Sequence, residues 1–71
     1  MTEKEFIAMM QDEVLDTDSP IFLDMSLRDI EEWDSLSFVS FIAATRAIGK
    51  NITRDMIIPA KTVGDLFDLV K

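Results

Sequence analysis

The chain reads as a single all-α domain covering residues 1–71, and three observations point that way. Glycine and proline occur only twice each, so few positions break a helix. Thr2, Asp34 and Thr62 each stand as an N-cap just ahead of an apolar segment. Within those segments apolar residues recur at helical spacing, and no strand-like alternation is present. The expected architecture is a small bundle of three main helices plus one short helix, with a long ordered loop between helices one and two.

Taken in order, Thr2-Glu3-Lys4-Glu5 has the form of a capping box. Phe6, Ile7, Met10 and Val14 follow at helical spacing, which predicts helix one over about residues 3–15. Asp16-Thr17-Asp18-Ser19-Pro20 ends it, because proline cannot continue a helix and drives the residue before it toward extended geometry. From Asp16 to Asp34 no period persists. A loop this long in a compact domain is either functional or tied down. Ile21, Phe22, Leu23, Met25, Leu27 and Ile30 supply the anchors for an ordered crossover, with a helical turn at Ser26–Ile30. Helix two is predicted over about Ser35–Ile48, behind Asp34. Its apolar residues surround most of the wheel, so it is expected to be the central element, buried on several sides. Gly49 is placed to stop it in the left-handed region. Thr53–Ile58 fits one short turn before Pro59. Thr62-Val63-Gly64-Asp65 opens the last helix, about 62–70, which faces inward through Leu66, Phe67 and Val70.

Composition limits the chemistry. Hydrophobic residues make up 48% of the 71, enough for one core, although a chain of this size sits near the lower limit for a core without staples. The absence of cysteine excludes disulfides, thiolate metal sites and cysteine nucleophiles. No apolar run approaches the ~18–20 residues of a membrane span. The opening Met1-Thr2-Glu3-Lys4-Glu5 lacks the basic-then-apolar pattern of a secretory signal, so a cytoplasmic protein is expected. The net charge of −7 is uneven. Residues 1–34 carry eleven acids against Lys4 and Arg28, whereas residues 35–71 carry three acids against five bases. An acidic front half repels nucleic acid and anionic membrane and suits partners with basic surfaces.

With no histidine, cysteine or tyrosine, one element stands out: Asp34-Ser35-Leu36, a serine set between an acidic loop and an apolar helix. A first-turn serine faces unpaired N–H groups and the positive end of the helix dipole, which favours a phosphate attached there. Ser37 and Ser40 lack that position and read as surface or helix-facing hydroxyls. Asp16-Thr17-Asp18 suggests a calcium loop but fails on spacing, since Pro20 and Ile21 stand where an oxygen ligand and a turn glycine are needed. No metal site is expected. Asp29-Ile30-Glu31-Glu32 offers carboxylates without a histidine or a phosphate-cradling glycine loop, so an enzyme is not expected.

The long acidic-apolar loop, Asp34-Ser35-Leu36 opening a central helix and Thr62-Val63-Gly64-Asp65-Leu66 opening the last one together resemble the acyl carrier protein family over nearly the whole chain. The resemblance implies that Ser35 accepts 4′-phosphopantetheine from coenzyme A through a magnesium-dependent phosphopantetheinyl transferase. The chain would then carry acyl or aminoacyl groups on the arm's thiol, which accounts for the missing cysteine. It also implies that Asp34 orients the serine region and helps hold magnesium during modification, while also serving as N-cap. Leu36 is expected to pack inward, with a second role in touching partner enzymes. Trp33 has two readings, an anchor of the loop on the core, which is favoured because aromatic side chains bury most of their area, or an apolar contact beside the arm. The implied partners are the transferase, a loading ligase, and downstream acyl-transfer or condensing enzymes, acting on a monomer.

The chain departs from the family's pattern on helix two. The stretch Ser37–Arg46 holds no acid and one arginine, where many fatty-acid carriers have acidic residues. The charge lies just ahead, at Asp29, Glu31, Glu32 and Asp34. These residues, with Trp33 and Phe38, are the expected partner contacts, Phe38 replacing charge with an apolar contact if it is exposed. That pattern suggests a dedicated pathway rather than general fatty-acid synthesis. The small residues of Ala43-Ala44-Thr45-Arg46-Ala47 are read as close helix packing rather than a chamber for an acyl chain. The competing reading of the whole chain is an acidic helical interaction module that is never modified.

Overall fold

The computed structural model describes residues 1–71 and contains four α-helices and no strands. Helix α1 spans Glu3–Met9, α2 Ser35–Ala47, α3 Arg54–Ile57 and α4 Val63–Val70. Two shorter turns complete it: a π-helical segment, Met10–Val14, continuing α1, and a 3-10 turn at Leu27–Asp29.

The capping box at Thr2 forms as the sequence predicts. Glu5 N–H donates to Thr2 Oγ1 at 3.1 Å, and Thr2 N–H donates to Glu5 Oε1 at 2.9 Å. The first helix then changes winding at Met10, where Leu15 N–H reaches back five residues to the Met10 carbonyl at 2.8 Å. The reason lies in the apolar spacing. Phe6, Met9 and Met10 are buried, and so are Val14 and Leu15. The steps from Met9 to Val14 and from Met10 to Leu15 are five residues. Wider winding stacks these pairs on the inner face, whereas an uninterrupted α-helix would turn Glu13 inward with Phe6 and Met10. Asp16, at φ 51°, closes the segment in the left-handed region that aspartate tolerates.

The loop that follows is tied at both ends. Gln11 Nε2 donates to the Ser19 carbonyl at 3.0 Å. Further on, residues 23–27 run antiparallel to the α3–α4 link. Leu27 N–H donates to Lys61 O at 2.8 Å, Val63 N–H to Met25 O at 3.0 Å and Gly64 N–H to Leu23 O at 2.7 Å. Two of the first-turn N–H groups of α4 are therefore satisfied by the loop rather than by water. The close approach needs glycine, since a Cβ on Gly64 would stand 3.0 Å from the Leu23 carbonyl oxygen. Ile21, Leu27 and Ile30 bury the loop's apolar side.

Helix α2 ends as the sequence predicts, on Gly49 at φ 84°. Gly49 N–H donates to Arg46 O and Lys50 N–H to Thr45 O, both at 3.0 Å, the two bonds of a Schellman ending. The core gathers Phe6 and Met10 from the first helix, Phe41 from α2, Ile57 from α3 and Val63, Leu66 and Val70 from α4. Phe6 meets Phe41 edge-on at 6.3 Å between ring centroids and lies 5.2 Å from Phe67.

One expectation is overturned here. Helix α2 is not buried on several sides: its inner face holds Ser37, Phe41 and Thr45, while Leu36 is 76% and Val39 65% exposed. The apolar wheel divides into two opposed faces, and the bundle covers only one of them.

Candidate functional site

The site is assembled where the loop enters α2. Asp34 is extended (φ −147°, ψ −167°), which turns its carboxylate back over the first turn. Oδ1 accepts from Leu36 N–H at 3.0 Å and from Ser37 N–H at 3.1 Å. Ser37 completes the box: its Oγ accepts from Asp34 N–H at 3.3 Å and donates to the Glu32 carbonyl at 2.6 Å. Ser37 is only 4% exposed, so of the two readings, surface or helix-facing hydroxyl, it is the helix-facing one, a buried lock that holds the loop on the helix. A local signal existed, since a residue three places after an N-cap aspartate is where a box closes.

Ser35 is the first residue of α2, is exposed, and its hydroxyl takes no part in this network. Because Asp34 occupies the N–H groups of Leu36 and Ser37, the first-turn donor left over beside the Ser35 hydroxyl is Ser35's own N–H. The helix dipole still favours negative charge there. Leu36 points out rather than in, correcting the expectation that it packs inward: Phe41 and Ser37 already fill the inner face, and Leu36 lies on the opposite side of the wheel. With Val39, Ala43 and Ala47 it forms an exposed small-to-apolar stripe that begins next to Ser35.

Trp33 is half-buried, edge-on to Phe41 at 6.4 Å and tilted against Phe38 at 5.1 Å. Phe38 is likewise half-buried, with the Arg54 guanidinium 5.6 Å above its ring. It is therefore a packed, cation-covered ring rather than a free contact, and the open apolar positions on α2 are Leu36 and Val39. Asp29, Glu31 and Glu32 are exposed on the loop before Ser35. The molecule's one ion pair, Lys71–Asp68 at 2.9 Å, lies elsewhere, so the loop's negative charge is not neutralised within the chain. No three acidic side chains converge in an arrangement that would hold a metal ion.

Two carboxyls have shifted protonation, both in capping boxes away from Ser35. Backbone N–H groups of Lys61 and Thr62 hold Asp65 below the ordinary carboxylate value. Hydrogen bonds from the Thr2 backbone and hydroxyl do the same for Glu5. Compared with family models, curated proteins and solved structures, the chain matches none.

Proposed function

We propose that the chain is a discrete carrier protein whose cargo is held on a 4′-phosphopantetheine arm attached to Ser35. The observation that carries this reading is the exposed Ser35 hydroxyl at the first position of α2, outside a capping network that fixes the backbone on either side of it. The site residues fit such a group: no side chain covers the hydroxyl, the helix dipole favours a phosphodiester, and Asp34 fixes the backbone without engaging Ser35 Oγ.

In the modification step Ser35 Oγ forms a bond to the pantetheine-side phosphorus of coenzyme A as the pyrophosphate P–O bond breaks. Adenosine 3′,5′-bisphosphate leaves, and the hydroxyl proton passes to a base of the transferase. When attached, the arm supplies a thiol for thioester chemistry, which the chain's own side chains lack. Asp34, whose Oδ1 is engaged in the cap, would help position magnesium during transfer through its other carboxylate oxygen. The acidic loop at Asp29, Glu31 and Glu32 steers basic partner surfaces toward Ser35, and the Leu36–Val39 stripe provides their apolar seat. Because α2 carries no acid before Arg46, docking rests more on apolar contact than on charge along the helix. That favours a dedicated loading ligase and acyl-transfer or condensing enzyme over the general fatty-acid set.

Incubation with coenzyme A, magnesium and a broad-specificity phosphopantetheinyl transferase, read by intact mass beside Ser35→Ala, tests the proposal. The expected result is a single phosphopantetheine adduct on the wild type and none on the variant. A folded wild type that takes no adduct from several transferases instead identifies an unmodified interaction module built around the same exposed stripe.

A further inference from the structure

Outside the Ser35 turn, a half-open cavity of about 490 Å³ lies where the loop meets the α3–α4 link. Its lining is Ser26, Leu27, Arg28, Trp33, Ala60 and Lys61. The volume is within the range of small-molecule sites, about 300–1,000 Å³. Its two walls are joined by the Leu27–Lys61 backbone hydrogen bond at 2.8 Å, and its indole is held by Phe38 and Phe41. The cavity is therefore preformed, which lowers the ordering cost of filling it.

The charge is the unexpected part. The chain has seven bases against fourteen acids, yet Arg28 and Lys61, brought from distant parts of the sequence, line this one cavity and neither forms a salt bridge, although the Lys61 charge is felt by Asp65. The geometry points to a site for a small organic carboxylate with a short apolar body: the carboxylate between the Arg28 guanidinium and the Lys61 ammonium, the body against Trp33, Leu27 and Ala60. A guanidinium accepts a carboxylate in a two-pronged contact and an ammonium adds a point charge. The apolar half of the lining favours an organic acid over a bare, strongly hydrated inorganic anion. Exposed Asp29, Glu31 and Glu32 on the same loop oppose the bound charge, so affinity for a free acid is weak and falls with salt. The same acid borne on an arm at Ser35, two residues from Trp33, reaches an effective concentration in the millimolar range. That second source rests on the carrier reading above; the site itself does not.

The first arm of the test titrates monomethyl succinate into the unmodified full chain and follows Trp33, the only tryptophan, by its indole N–H resonance and fluorescence. The expected result is a saturable shift that Arg28→Gln and Lys61→Gln each weaken about three- to fivefold, the scale of one exposed charge contact. Arg46→Gln, outside the cavity, leaves it unchanged, and uncharged methyl butyrate produces none. No saturable shift, an equal response to methyl butyrate, or equal weakening by Arg46→Gln overturns the site. The second arm compares chains loaded enzymatically from butyryl- and succinyl-coenzyme A. A Trp33 shift confined to the succinyl form, reduced by Arg28→Gln, supports the tethered source. Identical Trp33 signals in the two loaded forms overturn that source. A Ser35 that takes no arm at all sinks the carrier reading, while the free-acid titration still decides the site.

Discussion

Helices α2 and α4 begin alike and end differently. Each opens on a capping box, behind Asp34 and Thr62, and each is mostly apolar. On α4 the apolar residues concentrate at Val63, Leu66 and Val70, all fully buried, so its hydrophobicity is used by the core. On α2 the inner face is Ser37, Phe41 and Thr45, two of them polar, while Leu36 and Val39 face out. Thr45 is fully buried and satisfied by donating to the Phe41 carbonyl at 2.8 Å. The difference separates two placements of apolar sequence: one stripe builds the fold, and a second, opposed stripe stays exposed.

The comparison breaks most visibly in the core. Phe41→Ala should cost about 3–5 kcal/mol and Leu66→Ala about 2–5 kcal/mol, as large-to-small changes at fully buried sites. A domain of this length has a total stability on the order of 4–10 kcal/mol. Urea unfolding of the milder Phe41→Leu and Leu66→Val keeps both measurable if the alanine variants unfold. A Phe41 variant that costs nothing would mean that α2 does not contribute its inner face to the core.

The caps come next. Asp34→Ala and Thr62→Ala should each lower stability by about 1 kcal/mol. They differ in how the box is closed: by the Ser37 hydroxyl on α2, by the Asp65 carboxylate on α4. Asp65 is depressed in the folded state, so its contribution is present above the unfolded carboxyl value and is lost as pH falls through the folded one. Asp65→Asn should therefore flatten the acid limb of the stability profile. Ser37→Ala should lower the whole profile without changing that limb. An unchanged acid limb in Asp65→Asn would remove the α4 box as its source.

How much of this was readable in advance follows from the range of each interaction. The box at Thr2, the Asp34 and Thr62 caps and the Gly49 stop are local, and the residues within one turn determine them. The π winding was written in the five-residue steps from Met9 to Val14 and Met10 to Leu15, but a helical template that searches for three and four passes over them. Leu36 is exposed where inward packing is expected, because periodicity reveals that α2 has apolar faces, not which of two the bundle covers. Gly64 reads locally as a tolerated helix glycine; its cause is the Leu23 carbonyl, a contact from the distant loop. The cavity is the same case. Arg28 and Lys61 become neighbours only when the loop pairs with the α3–α4 link, and nothing near either residue announces the other.

The smallest change in stability is expected on the outer stripe of α2, and it sharpens the comparison most. Leu36→Ser and Val39→Ser remove apolar surface that already faces water, so each should shift stability by no more than about 0.5 kcal/mol. On the proposed carrier reading, the same changes should slow phosphopantetheine transfer, followed by intact mass, about fivefold or more, the scale of losing one anchoring contact worth about 1 kcal/mol at an interface. Phe41 and Leu66 variants that stay folded should leave that rate near wild type, because neither side chain reaches the surface. If the serine variants instead destabilise the chain strongly, the stripe is covered by the protein itself and the two helices use their apolar residues alike. If stability and transfer are both untouched, the stripe is exposed but not the seat of this partner, and docking falls to the acidic loop at Asp29, Glu31 and Glu32. Only the split result, a slowed transfer on an unchanged fold, assigns one face of α2 to folding and the other to recognition.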